Sequence, residues 1–253
     1  MNTEALDITI LGPGMLAGLI VLATHVPLGR EVLRRGIIFI DLAVAQTAGL
    51  GVIVAGVIGW EAHGLAAQAS AITAALAAGL LLTWTESRFE QIQEAIIGVV
   101  FILAATCGIL VLSNHPKGSE ELKDLLSGQI LWAHPDHLWA AALVSAGVLL
   151  AWFLVRHHLG RAGFYLLFAF SVTASVQLVG VFLVFASLIV PAIAVRNMGS
   201  ASGVWAGYAI GVIGYVLGLV ASALWDLPTG PIIVWMLTAT AILLAAVRGM
   251  IGR

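Results

Sequence analysis

The chain has 253 residues, with 11 Lys and Arg against 13 Asp and Glu, a formal net charge of −2 and a mean hydropathy of +1.07. At 9% charged residues it falls far short of the roughly one quarter of an ordinary soluble domain, which excludes that class. A single cysteine, Cys107, excludes a disulfide framework and a cysteine metal cluster; inside an apolar run it reads as a small packing residue.

The apolar residues fall into runs near the ~20 residues that cross a bilayer as helix. In chain order the expected spans are 8–28, 36–59, 63–84, 95–113, 137–155, 164–177, 178–195, 203–224 and 229–247. The fold class is therefore all-α: a polytopic helical membrane protein of about nine spans (alternatively eight), forming one transmembrane domain over 1–253. The opening stretch MNTEALDITI has no basic region and carries Glu4 and Asp7, so its apolar run reads as a retained span rather than a cleaved signal.

Charge divides the breaks between spans into two sets. Arg30, Arg34, Arg35, Arg88, Arg156, Arg161, Arg196, Arg248 and Arg253 fall on one side, and only Lys117 and Lys123 on the other. The positive-inside rule makes the first side cytoplasmic, with the N-terminus outside and the C-terminus inside. Residues 164–195 are long for one span and short for two. Arg161 and Arg196 belong to the same side, so the segment must cross and return, with Gln177 and Gly180 as the expected break. Broken helices are tolerated where protein or a water-filled cavity covers them, which marks this segment, Gln177 included, as pathway lining. Pro191 is expected to end the second half. Residues 119–126, SEELKDLL, read as a short amphipathic helix at the outer surface, either capping the bundle or meeting a binding protein. Gly203, Gly207 and Gly211, and Gly214 and Gly218, recur every four residues, a spacing for close helix packing inside the subunit. Tryptophans 60, 132, 139, 205, 225 and 235 lie near span ends, as an aromatic belt would.

Asp41 is the most telling residue. It stands in GIIFIDLAVAQTAGLGVIVAGVIG, residues 36–59, and a carboxylate at membrane depth is costly enough to be read as functional. It serves either as a transit ligand for a cation or as a membrane-edge partner of Arg34 or Arg35. Gln46 and Gln177 read as ligands or as interhelical hydrogen-bonders. Glu94 opens a span as an N-terminal acid favoured by the helix dipole. His134 and His137 with Asp136 form a partial zinc-ligand set in the outer loop. The neighbours His157 and His158 point apart on a helix.

Three stretches together resemble the permease subunit of the zinc/manganese ABC importers. They are PLGREVLRRGIIFIDLAVAQTAGLGV at 27–52, QLVGVFLVFASLIVPAIAVRNMG at 177–199 and LWDLPTGPIIV at 224–234, with weaker echoes at 92–101 and 125–132. The match runs in order along almost the whole chain. It implies a fold related to the cobalamin-importer permeases, a homodimer in the lipid of the bacterial inner membrane, two copies of a separate ABC ATPase and an extracytoplasmic metal-binding protein. It further implies Asp41 as a metal residue, Arg196, Asn197, Met198 and Gly199 as the ATPase-coupling segment, and Asp226, Pro228 and Gly230 as an external turn. Two features depart from the family. Its usual His four residues after the Asp is here Ala45, followed by Gln46, and the cytoplasmic stretch RHHLGRAG is short. On a regular helix Asp41 and Gln46 point about 140° apart; a one-residue π-bulge would bring them together.

The function these residues and the resemblance imply is import of a divalent transition metal, zinc first, manganese or iron next. A metal chelate is the near alternative, and a stand-alone proton-coupled carrier or a membrane scaffold the distant ones. No phosphate loop of the G-x-x-x-x-G-K-[ST] type occurs, so ATP hydrolysis belongs on another subunit. No resident cofactor and no nucleic-acid partner are expected; the metal is cargo.

Overall fold

A computed structural model of the chain describes residues 7–61, 64–116, 118–128, 130–132, 135–155, 158 and 160–251. These form ten α-helices: α1 (Ile8–Arg35), α2 (Ile40–Val57), α3 (Leu65–Arg88), α4 (Gln93–Leu112), α5 (Gly118–Ser127), α6 (Pro135–Val155), α7 (Arg161–Val179), α8 (Val181–Ala194), α9 (Ser200–Trp225) and α10 (Thr229–Ile251). Among the described residues eight helices are long and apolar enough to cross a membrane; α8, with 14 residues, is shorter. At about 1.5 Å per residue α8 rises only ~21 Å, less than a ~30 Å hydrocarbon core.

The first span runs a full two turns past its expected end. Asp7 caps α1 by accepting from the Thr9 amide at 2.9 Å. Pro27 lies inside the helix, which continues to Arg35. Two features carry it through: Glu31 binds Arg34 and Arg35 one turn on, the latter at 2.7 Å, and Gly36 takes the left-handed conformation (φ 72°) that closes the helix end. Pro191 likewise does not end α8; it sits in the last turn, and the Val195 amide bonds back to its carbonyl. The break in 164–195 falls at Gly180 (φ 78°), whereas Gln177 stays helical, exposed in the last turn of α7.

α2 and α7 are the innermost helices. α2 packs against α3, α4, α7 and α8, and α7 against α3, α6 and α2. The glycine spacing is used within the chain. Gly203, Gly207 and Gly211 of α9 lie against Arg30, Val26 and Leu22 of α1, while Gly214 and Gly218 take Leu237 and Ile233 of α10. Trp60, Trp139, Trp205, Trp225 and Trp235 are exposed, as a belt requires. Cys107 is also exposed on α4, so it is not the packing residue expected.

The helix ends sort into two groups. Arg30 reaches the Met198 and Gly199 carbonyls, Arg35 lies 4.2 Å over the Phe164 ring, and Arg161 pairs with Glu86 and Glu90. At the opposite end α5 folds in as a cap. The Leu125 side chain meets Gly49 of α2, and Gly128 (φ 69°) meets Gly180 where a Cβ on either would collide with backbone. Ser127 also presents its carbonyl to Gly230, and in the α9–α10 turn Asp226 is left-handed (φ 53°) while Ser222 donates to the Leu227 carbonyl at 2.7 Å.

Candidate functional site

Asp41 lies in the first turn of α2, completely buried, and neither carboxylate oxygen has a hydrogen-bond partner. The guanidinium groups that could have neutralised it are turned elsewhere. Arg34 and Arg35 both bind Glu31, and Arg35 also covers Phe164. Pairing of Asp41 with Arg34 or Arg35 is therefore corrected. The reason is geometric: α1 stays helical to Arg35, which places Glu31 one turn from both arginines, and both bind it.

Gln46 is 1% exposed on the same helix, with its Oε1 unpartnered. α2 is regular over its whole length, so no π-bulge brings Gln46 round to Asp41, and the two side chains leave the helix about 140° apart. Glu94 does more than open α4. Its Oε1 accepts from the Phe39 amide at 3.1 Å, tying the turn that enters α2 to the start of α4, and its Oε2 is buried and unpartnered. Phe39 stacks on Phe185 of α8. The Asp41 turn is thus braced by α4 on one side and α8 on the other.

Arg196, Asn197 and Gly199 are exposed, and Met198 half-buried, in the link between α8 and α9. Arg196 donates only to the nearby Ile193 carbonyl, at 3.3 Å, which leaves the loop surface open for contact. Among the described residues no three His, Cys, Asp or Glu side chains gather as a metal cluster. His134, His157 and the side chains of Asp136 and His137 lie outside the described residues, as do Lys117 and Arg156. His158 is exposed in a turn.

One residue escaped the sequence reading. His25 is fully buried in α1, with Nδ1 2.9 Å from the Val21 carbonyl oxygen and 3.0 Å from Thr24 Oγ1. Ser171 of α7 donates to Thr24 at 2.9 Å. The signal was present: an imidazole within the apolar run 8–28 deserves the same suspicion as an acid in 36–59.

The arrangement is that of a multi-pass helical membrane protein with an uncompensated acid on one of its two most enclosed helices. The model of the ABC 3 transport family matches residues 7–164 and 160–248, and the chain belongs to that family. A protein of Chlamydia trachomatis serovar D, described as a probable metal transport system membrane protein, is 23% identical over 184 residues, 64% of this chain. The alignment takes in 63% of that relative, so the chain spans just under two thirds of its length. Among solved structures, PsaBC from Streptococcus pneumoniae in complex with Fab is similar with a TM-score of 0.79 and 19% identity, covering 96% of this chain and 95% of that one. A transporter assigned to the metal-chelate ABC type, in an inward-facing conformation, gives a TM-score of 0.65 at 18% identity, over 94% of this chain and 84% of that one. At these identities the likeness establishes the fold.

Proposed function

We propose that this chain is the permease subunit of an ATP-binding-cassette importer that moves a divalent transition metal, zinc first and manganese or iron next, into the cytoplasm. The observation that carries the reading is Asp41, a buried carboxylate with no protein partner on either oxygen. Left alone in the protein interior such a group costs several kcal/mol, and a passing cation removes that cost. Family membership supports a transport role, and the named metal transport relative supports a metal as cargo. Gln46, a neutral amide aimed away from Asp41, is a separate and weaker contact along the path. Gln177, exposed beside the Gly180 break, lies at its outer end.

The assembly in this reading is a homodimer in the bacterial inner membrane, with a separate ABC ATPase on the cytoplasmic side and an extracytoplasmic metal-binding protein outside. The N-terminus faces out and the C-terminus in, which sets the arginine-bearing end toward the ATPase. The exposed loop of Arg196, Asn197, Met198 and Gly199 is the coupling contact, and the Asp226, Pro228 and Gly230 turn, packed on α5, belongs to the outer face. Zinc and manganese uptake by cells making the complete transporter, with wild type beside Asp41→Asn, tests the proposal. Uptake falls steeply at equal membrane abundance; undiminished uptake by Asp41→Asn overturns the pathway role. Arg196→Glu leaves the chain folded and breaks the link between ATP hydrolysis and uptake, and survival of both at wild-type levels removes the loop from the coupling surface.

A further inference from the structure

His25 stands apart from the Asp41 region and has an atom to spare. A carbonyl oxygen can only accept, so the 2.9 Å contact with Val21 requires His25 Nδ1 to carry the proton and donate it. In the neutral ring the lone pair then sits on Nε2, which is buried with no hydrogen-bond partner. This is the arrangement of ligating imidazoles generally: one nitrogen donates to a carbonyl, fixing tautomer and ring plane, and the other is left open for a cation.

The face of α1 that carries His25 is marked by the neighbours of that helix. Thr24 faces α7 through Ser171. Gly18 lies on the Tyr215 ring of α9, and Gly29 on the Leu188 carbonyl of α8. At about 100° per residue His25 is only ~20° from Gly18 and ~40° from Gly29 around the helix, so it shares their stripe. The two residues that face this stripe bring buried oxygens with them: Tyr215 Oη and the Oγ of Ser187, the residue before Leu188, lie 2.9 Å apart. Ser187 also lies 2.7 Å from the Leu183 carbonyl, to which it donates; Tyr215 then donates to Ser187 and keeps lone pairs of its own. His25 is ten residues before Arg35, and Ser171 ten after Arg161, which puts both roughly 15 Å from the arginine-bearing end, near mid-membrane.

We infer that His25 Nε2 is a transit ligand for the divalent metal, a single-nitrogen station in mid-membrane assisted by the hydroxyl oxygens of Tyr215 and Ser187. The inference rests on the permease reading above. Imidazole nitrogen suits zinc and its neighbours, and one nitrogen with neutral oxygens holds an ion weakly enough to release it.

The test pairs zinc binding by the purified full-length chain in detergent, read as the zinc-induced rise in melting temperature, with zinc uptake by cells making the whole transporter. His25→Asn keeps an N–H near the Nδ1 position and offers nothing at Nε2; His25→Gln reaches toward the Nε2 position. For His25→Asn we expect a zinc-free melting temperature close to wild type, loss of most of the zinc-induced rise and about tenfold lower uptake, the scale of one metal-site interaction. His25→Gln falls between the two. Wild-type uptake and zinc response in His25→Asn overturn the inference while Asp41→Asn still reports on the permease reading. Collapse of both His25 variants before zinc is added assigns His25 to packing and overturns it as well. A wild-type chain that neither takes up nor responds to metal removes the permease reading and this one together.

Discussion

Two buried amides show how differently this protein treats polar groups in its interior. Gln93, 3% exposed at the start of α4, is saturated. Its carbonyl accepts from Thr85 at 2.9 Å, and its amide donates to the Leu82 carbonyl at 2.9 Å and to Tyr165 at 3.4 Å. It clamps α3, α4 and α7 together at the arginine-bearing end. Gln46, 1% exposed on α2, leaves its Oε1 open, and Asp41 on the same helix leaves both oxygens open. Burial is the same; satisfaction is opposite. Buried polar groups that serve folding are nearly always hydrogen-bonded, so open ones call for an explanation outside the folded chain. In the proposed reading, satisfaction rather than burial is what separates Gln93, a clamp, from Asp41 and Gln46, the transit residues.

The comparison can be broken by measuring melting temperature and metal uptake on the same variants. The largest effect is expected at Asp41. Asp41→Asn loses about tenfold or more of uptake, a metal-ligand effect, yet melts at or above wild type because no protein partner is orphaned and a buried charge disappears. A large fall in its melting temperature would move Asp41 into the scaffold. Gln93→Leu is the mirror image: similar shape, but the Thr85 hydroxyl and Tyr165 lose a partner, for about 1–3 kcal/mol of stability, while uptake per folded molecule holds. Gly29→Ala probes the neighbouring seam, where a methyl group would meet the Leu188 carbonyl; overpacking of this kind costs about 1–3 kcal/mol, read as a lower melting temperature. The smallest effect belongs to Gln46→Leu. Its stability stays within about 0.5 kcal/mol of wild type, the range of changes that remove no key contact, and uptake falls only a few-fold. A loss as large as that of Gln93→Leu would show that Gln46 is bonded in the working protein.

Much of the architecture was legible. The boundaries of α2, α3, α4, α6, α7, α9 and α10 agree with the apolar runs to within a few residues, because a bilayer forces each crossing to be continuous, apolar and of set length. The return of the chain within 164–195 followed from Arg161 and Arg196 alone, and α7 and α8 do meet at a break. The misses are local: α1 runs on through Pro27 because Glu31, Arg34, Arg35 and Gly36 finish it, and the break settles on Gly180 because only a glycine can lie backbone-to-backbone against Gly128. Of the candidate site, Asp41 was visible as an acid in apolar surroundings. His25 stands out less, since a single imidazole disturbs an apolar run less than a carboxylate does.

The amino-acid sequence by itself determined that this is a helical membrane protein, where its spans lie, how its charges divide between two faces, and that Asp41 is exceptional. These depend on composition and on residues near one another in the chain, which transfer energies and helix geometry govern directly. Only the tertiary structure decided which polar residues are satisfied. Gln93 finds Tyr165 across 72 positions, and Thr24 finds Ser171 across 147. Arg34 and Arg35 find Glu31 instead of Asp41. A hydrogen bond depends on angstrom-scale placement of groups distant in sequence, and no period or composition carries that information.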